Sequence, residues 1–305
     1  MIRPDRLKKG DTIGVVAPAG PPDSEKLMQA IPFFEKMGLR VELGKNIKEV
    51  RGYLAGTDEQ RLEDFHAMIA DKKVKAIIFA RGGYGTGRLV DQIDYDLIKR
   101  NPKIIWGYSD ITYFHTAIRQ KTDLITFHGP MLASDIAKDE FDEFTAQLFQ
   151  QLFEPTHLSY CERITPLKEY APGIAQGQLV GGNLSLLVST LGTPYEIDTK
   201  DKIVLLEDIG EEPYRIDSML NQLKLAGKLS DAAGIIIGDF AEAKSTLKLS
   251  LTMEQVFKDY FMDFIGPVIS GFKIGHCLPN FSVPLGSTAK LSTKDKTLEI
   301  EPGVI

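Results

Sequence analysis

A chain of 305 residues is long for one hydrophobic core, so two domains are expected. Its 43% hydrophobic and 26% charged content is ordinary for a globular protein, and a net charge of -6 argues against non-specific nucleic-acid binding. No apolar stretch follows the basic opening residues, no run approaches the roughly 18 apolar residues of a spanning helix, and Cys161 and Cys277 form neither a disulfide framework nor a zinc spacing. The expectation is a cytoplasmic protein with no membrane segment, no metal and no cofactor.

In the first half strand and helix alternate. Asp11 to Ala17 is a near-continuous apolar strand of the kind buried on both faces of a parallel sheet, broken by Pro18-Ala19-Gly20-Pro21-Pro22. A helix follows from Ser24 with Leu27, Ile31, Phe34 and Met37 on one face and Gly38 as its stop. Arg40 to Leu43 is a second strand, Thr57-Asp58-Glu59-Gln60 opens a second helix carrying Leu62, Phe65, His66 and Ile69, and Lys75 to Ala80 is a third strand. The alternation predicts a doubly wound parallel-sheet α/β domain, whose ligands sit beyond the C-terminal ends of the strands.

Two such strand ends stand out. The loop after Ala80, Arg81-Gly82-Gly83-Tyr84-Gly85-Thr86-Gly87-Arg88, fits neither the dinucleotide nor the P-loop spacing, so its glycines point to close packing or to backbone N–H donors. Further on, Ile104-Ile105-Trp106 is a short buried strand, and Ile111, Phe114, Ala117 and Ile118 repeat at helical spacing. The switch happens within Gly107-Tyr108-Ser109-Asp110, with no room for a loop. A strand that turns at once into a helix around Gly-x-Ser is the setting of a nucleophile elbow, although Ile111 stands where that pattern has its last glycine. The plainer alternative is that Ser109 only caps the helix. His66, His115 and His128 are weaker candidates for a base, His128 being the best placed, just after a strand at Leu124 to Phe127.

Asp139 to Phe153 reads as a helix, and the polar, proline-marked stretch 154–173 as a linker between residues 1–153 and a β-rich α+β domain over 174–305. In the second domain Gly177 to Val180 is a strand, and Gly181-Gly182-Asn183 opens a helix that Gly192 closes. Lys202 to Leu206 is a buried strand, Tyr214 to Leu225 a helix, Gly234 to Gly238 and Pro267 to Phe272 further strands, and Ser287 to Leu291 with Thr297 to Ile300 a terminal hairpin. Glu207 follows its apolar strand directly, where a carboxylate can be partly desolvated; the bland alternative is a solvated acidic helix start, which fits Glu211 and Glu212 well. His276 is a glycine-flanked histidine just past a strand. Cys277 beside it is a weak nucleophile candidate, because adjacent side chains diverge and a thiol needs a base from elsewhere.

Ser109, Glu207 and His276 run in the Ser…Asp/Glu…His order of α/β hydrolases. A serine hydroxyl needs an imidazole to take its proton, and the imidazole needs a carboxylate to fix its tautomer. The oxyanion would need backbone N–H donors, here Asp110 and a glycine-loop residue. With nucleophile and base on different domains, the expected site is an interdomain cleft.

Arg-Gly-Gly-Tyr-Gly (81–85), Trp-Gly-Tyr-Ser-Asp (106–110), Leu-Leu-Glu-Asp (205–208) and Gly-His-Cys (275–277) resemble the LD-carboxypeptidases, peptidase family S66; Val-Ala-Pro-Ala-Gly (16–20) and His-Gly-Pro-Met (128–131) match as well. The resemblance implies a serine peptidase that releases terminal D-alanine from murein tetrapeptides, acting in cytoplasmic peptidoglycan recycling as a homodimer. It implies Ser109 as nucleophile, His276 as base, Glu207 as its orienting partner, and Gly83 with Asp110 as oxyanion donors. Two rivals stay open: a microcin-immunity-type peptidase of the same superfamily, which would want an aromatic such as Tyr160 or Tyr170 to stack a nucleobase, and a non-catalytic binding protein. Arg81, Arg88 and Arg215 are the candidates for reading the D-alanine carboxylate.

Overall fold

A computed structural model describes residues 1–305 as two compact units, Met1–Thr156 with Pro302–Ile305, and His157–Glu301. The first unit contains β1 (Thr12–Val16), α1 (Ser24–Lys36), β2 (Arg40–Leu43), α2 (Asp58–Ala70), β3 (Val74–Phe79), α3 (Tyr95–Arg100), β4 (Ile104–Gly107), α4 (Thr112–Thr122), β5 (Thr126–His128) and α5 (Glu143–Gln147). These strands lie in the order β5-β4-β3-β1-β2, and every pairing is parallel. The order reverses between β1 and β3, which opens a crevice at their C-terminal ends. The glycine loop leaves β3 there, and Ser109 follows β4 next door.

Local sequence accounts for the helix starts. Asp23 caps α1 by accepting from the Glu25 and Lys26 amides, and Thr57 with Gln60 forms a reciprocal capping box on α2. The core mixes aliphatic side chains with buried Phe34, Phe127, Phe149 and Trp106. Trp106 is fully buried, stacks on Phe149 at 4.4 Å between ring centroids, and donates its Nε1–H to the Pro130 carbonyl at 2.8 Å. The helix expected over 139–153 is shorter: the Asp142 carboxylate accepts the Thr145 amide, so α5 starts only at Glu143, and the chain tightens into a 3-10 turn over Leu148–Leu152.

The second unit holds β6 (Leu158–Cys161), β7 (Lys168–Ala171), β8 (Ile174–Asn183), α6 (Leu184–Ser189), β9 (Ile203–Ile209), α7 (Pro213–Leu225), β10 (Gly234–Ala241), α8 (Met253–Phe261), β11 (Val268–Ser270), β12 (Val283–Leu285), β13 (Thr288–Ser292) and β14 (Thr297–Ile300). Eight strands run β6-β14-β13-β8-β9-β10-β11-β7. The middle four, β8 to β11, are parallel, and the flanking pairings are antiparallel. The stretch expected to be a linker therefore supplies both edge strands, β6 and β7. Edge strands tolerate polar residues and nearby prolines because half their backbone groups need no sheet partner, so they show little hydrophobic period. The last four residues belong to the first unit, where the Arg6 amide donates to the Ile305 carbonyl and the Ile305 amide to that of Pro4. Helix α8 was not anticipated, though its signal is present as a Thr252–Gln255 capping box ahead of buried Val256, Phe257 and Phe261. No helix is long and apolar enough to cross a membrane.

Because Trp106 combines full burial with a hydrogen bond, Trp106→Ala is expected to lower stability by about 3–5 kcal/mol in guanidinium unfolding. A loss below about 1 kcal/mol would mean that the first core does not depend on this side chain.

Candidate active site

The turn after β4 places Ser109 at φ 62°, in the left-handed region that a non-glycine residue avoids at a cost of about 1–3 kcal/mol. A serine that only capped the helix would sit in extended conformation and accept an amide from the first turn. Here the capping position before the 3-10 turn Ser109–Ile111 falls on Tyr108, and no side chain caps that turn. The strained conformation therefore favours the elbow over the plain cap.

A polar network holds the strain in place. Asp110 is buried, and its carboxylate accepts the Thr86 amide at 2.8 Å while the Thr86 hydroxyl donates to the Asp110 carbonyl. Burial pushes the Asp110 carboxyl above its usual range, opposed by these hydrogen bonds. On the other side of the loop the buried Arg61 guanidinium donates to the carbonyls of Gly85 (3.0 Å) and Pro18, and pairs with Asp58. Asp58 is shared with Arg88, whose guanidinium approaches to 2.8 Å, and this pair is the largest reason its carboxyl titrates below the usual range. One chain of contacts thus ties the loops after β1 and β3 to the turn after β4. Sequence reasoning missed Arg61; its signal was an arginine beside Leu62 on the apolar face of α2.

Gly82 touches the serine. A Cβ added there would lie 3.1 Å from both Ser109 Cβ and Oγ, so a larger residue would press on the hydroxyl. The Gly82 carbonyl accepts the Gly20 amide at 3.2 Å and Arg81 Nε at 3.3 Å. In a trans peptide the next N–H points the opposite way, so the Gly83 amide is turned from those two partners.

In the second unit Glu207 lies within β9, rather than after the strand as expected, because the ladder continues to Ile209 and pairs Glu207 with Asn183. Its carboxylate is fully buried, and Oε2 stands 2.9 Å from His276 Nδ1. An ionised carboxylate only accepts, so Nδ1 carries the proton and Nε2 the lone pair. Gly275 makes the approach possible: its φ is 125°, and a Cβ there would fall 2.8 Å from Glu207 Oε2. Asn280 Nδ2 donates to the Gly275 carbonyl at 2.7 Å and the Phe281 amide to that of Lys273, fixing the loop that carries the imidazole. Asp208 points to different work. Its carboxylate accepts from Asn183 Nδ2, the Ser185 amide and hydroxyl, and the Ile209 amide, anchoring the start of α6.

The remaining candidates resolve on burial and partners. His115 is buried with Nε2 2.7 Å from the Gly107 carbonyl, and desolvation lowers its pKa to about 3, so it is a neutral packing group. His66 Nε2 accepts the Asp94 amide at 3.0 Å, and burial lowers its pKa. His128 is buried edge-on against Tyr108. Cys277 donates to the Pro279 carbonyl, and burial pushes its thiol well above the usual range, so it holds no thiolate at neutral pH. Tyr160 is buried edge-on between Phe272 and Phe281, with no face open to stack a nucleobase, and Tyr170 is half-buried against Phe257. No group of three or more His, Cys, Asp or Glu side chains could hold a metal ion.

Comparison with known proteins matches residues 13–129 to the LD-carboxypeptidase N-terminal domain and residues 176–291 to the LD-carboxypeptidase C-terminal domain. A Bacillus subtilis (strain 168) protein named "Probable murein peptide carboxypeptidase" is 54% identical over 303 residues, covering 99% of this chain and 95% of its own. Among solved structures, a muramoyltetrapeptide carboxypeptidase from Oxalobacter formigenes superposes with a TM-score of 0.83 at 29% identity, covering 95% of this chain and 98% of that one. The microcin immunity protein MccF in complex with glutamyl sulfamoyl guanosine reaches 0.90 at 24% identity over 99% of this chain and 98% of its own, a likeness of fold.

The two cysteines give a check on this chemistry. The Arg163 Nε–H lies on Cys161 Sγ and lowers that thiol's pKa, whereas burial raises that of Cys277. At pH 8 iodoacetamide is expected to alkylate Cys161 well before Cys277, followed by peptide mass spectrometry, and the gap should narrow as pH rises. Faster labelling of Cys277 would mean a thiolate there and reopen the thiol mechanism.

Proposed function

The chain belongs to the LD-carboxypeptidase family, and from that premise we propose that it is a serine peptidase releasing the terminal D-alanine of murein tetrapeptides through an acyl-enzyme on Ser109. The observation that carries the reading is the 2.9 Å contact between His276 Nδ1 and the buried Glu207 carboxylate. A charge buried this deeply is costly unless a partner stabilises it, and an imidazole held by a carboxylate is what a serine nucleophile requires.

In this reading His276 Nε2 takes the Ser109 hydroxyl proton as Oγ attacks the carbonyl before the D-alanine. Glu207 stabilises the imidazolium that forms. The oxyanion is met by the Gly83 and Asp110 N–H groups, the first supported by the orientation of the 82–83 peptide, the second by following the serine directly. The proton on Nε2 then passes to the departing amine and D-alanine leaves. Water, deprotonated by the same imidazole, attacks the ester and returns the serine. The left-handed Ser109 fits this role, since strain of this kind is kept where geometry matters more than local stability. The 54% identity to the Bacillus subtilis relative supports a murein peptide as substrate. The same reading takes the protein as a cytoplasmic homodimer acting in peptidoglycan recycling, with no cofactor and no nucleic-acid or membrane partner.

The rival reading, hydrolysis of an aminoacyl or peptidyl nucleotide, draws on the likeness to MccF. Burial of Tyr160 counts against it, because one of the two aromatic candidates for stacking is spent on the core.

Ser109→Ala is expected to lower kcat more than ~10³-fold and to abolish fluorophosphonate labelling, and Glu207→Gln to lower kcat by roughly 10²–10⁴-fold. D-alanine release from the tetrapeptide, measured beside hydrolysis of an aminoacyl-sulfamoyl adenylate, separates the two substrates. Unchanged turnover in Ser109→Ala would exclude the serine mechanism.

A further inference from the structure

We propose that the Arg81 guanidinium receives the C-terminal carboxylate of the substrate and so restricts the enzyme to peptides with a free terminal acid. The inference rests on the carboxypeptidase reading above and names the residue that would make it an exopeptidase.

The substrate sets the distance. In a peptide ending in one residue beyond the scissile bond, the carboxyl carbon is three bonds from the attacked carbon, at most about 4 Å away. Adding one charge-assisted contact puts the recognising cation within about 8 Å of the attacked carbon. It must therefore lie among the immediate neighbours of the nucleophile. Arg81 is the arginine of the first unit on the loop that touches the nucleophile. It directly precedes Gly82, whose Cβ position is 3.1 Å from Ser109 Oγ, and its Nη2 lies 3.8 Å from the Cβ position of Gly83.

Charge narrows the choice further. Arg61 and Arg88 share the Asp58 carboxylate, and Arg215 pairs with Glu211. Each is already paired with an acidic side chain. Arg81 instead donates Nε to the Gly82 carbonyl and Nη1 to the Pro21 carbonyl, both at 3.3 Å, and makes no ion pair. Neutral carbonyls orient the fork without cancelling its charge, leaving donors for a planar carboxylate. The guanidinium is partly shielded from water, which strengthens such a pair. The Gly82 carbonyl that holds Nε belongs to the same peptide as the Gly83 amide, so the guanidinium and the proposed oxyanion donor lie at opposite edges of one rigid unit.

The test compares a murein tetrapeptide ending in D-alanine with its D-alaninamide counterpart, using wild type, Arg81→Gln and Arg81→Lys. Wild type is expected to prefer the acid. Arg81→Gln should lose roughly 10²-fold or more in kcat/KM on the acid, mostly in KM, and change little on the amide, so that the preference collapses. Arg81→Lys should fall between, keeping the charge without the fork. The rate of fluorophosphonate labelling of Ser109 should be the same in all three. An acid-over-amide ratio that survives in Arg81→Gln overturns the assignment, as does an equal loss on both peptides or a slowed labelling rate, each of which marks a structural role. A wild type that labels at Ser109 but releases neither D-alanine from the acid nor D-alaninamide from the amide overturns the murein reading, and this inference with it.

Discussion

The interaction on which the rest depends is the hydrogen bond between the Glu207 carboxylate and His276 Nδ1, made where Glu207 is fully removed from solvent. A lone carboxylate in that position would protonate or destabilise the fold. Several features of the second unit answer to it. The parallel ladder through β8, β9 and β10 holds Glu207 within a buried strand. Gly275 lets the histidine loop approach the carboxylate oxygen, and Asn280 holds the Gly275 carbonyl. The imidazole is thereby fixed in one tautomer by a partner that cannot move away.

The first unit solves a different problem, that of holding one residue in a conformation it disfavours. Ser109 sits at φ 62°, and the turn that contains it is gripped through Asp110 by Thr86 of the glycine loop. Arg61 then joins that loop to Pro18 and to Asp58. Buried polar networks of this kind are stable only when their groups are matched, and they fix geometry in return. Here the geometry fixed is the spacing between Ser109, the 82–83 peptide and Arg81.

Burial also sorts residues that look alike on paper. Cys277 lies next to His276 in the chain, yet its thiol is kept protonated by desolvation. His115 lies on the helix that follows the serine, yet it is neutral and occupied with the Gly107 carbonyl. Tyr160 is a core residue despite its polar surroundings in sequence, because its ring fills the gap between Phe272 and Phe281. In each case solvent access, which no local spacing encodes, decides the chemistry.

Much was legible in the residues alone. Apolar runs such as Lys75 to Ala80 and Lys202 to Leu206 announce strands buried on both faces, and the abrupt change of period at Gly107 to Asp110 announces the turn. These signals are local, since they depend on which neighbours a residue has along the chain. The extent of α5, the strands β6 and β7 inside the supposed linker, and the return of the last four residues to the first unit were not legible. Edge strands and chain ends are held by backbone pairing with distant segments, which leaves little trace in side-chain pattern. The sequence alone therefore determined which residues could act, among them Ser109, Glu207, His276 and three arginines. Only the tertiary structure decided that Glu207 meets His276, that Ser109 is strained rather than capping, and that Arg81 alone of the three lacks an acidic partner, because contacts across long stretches of chain set burial and charge pairing.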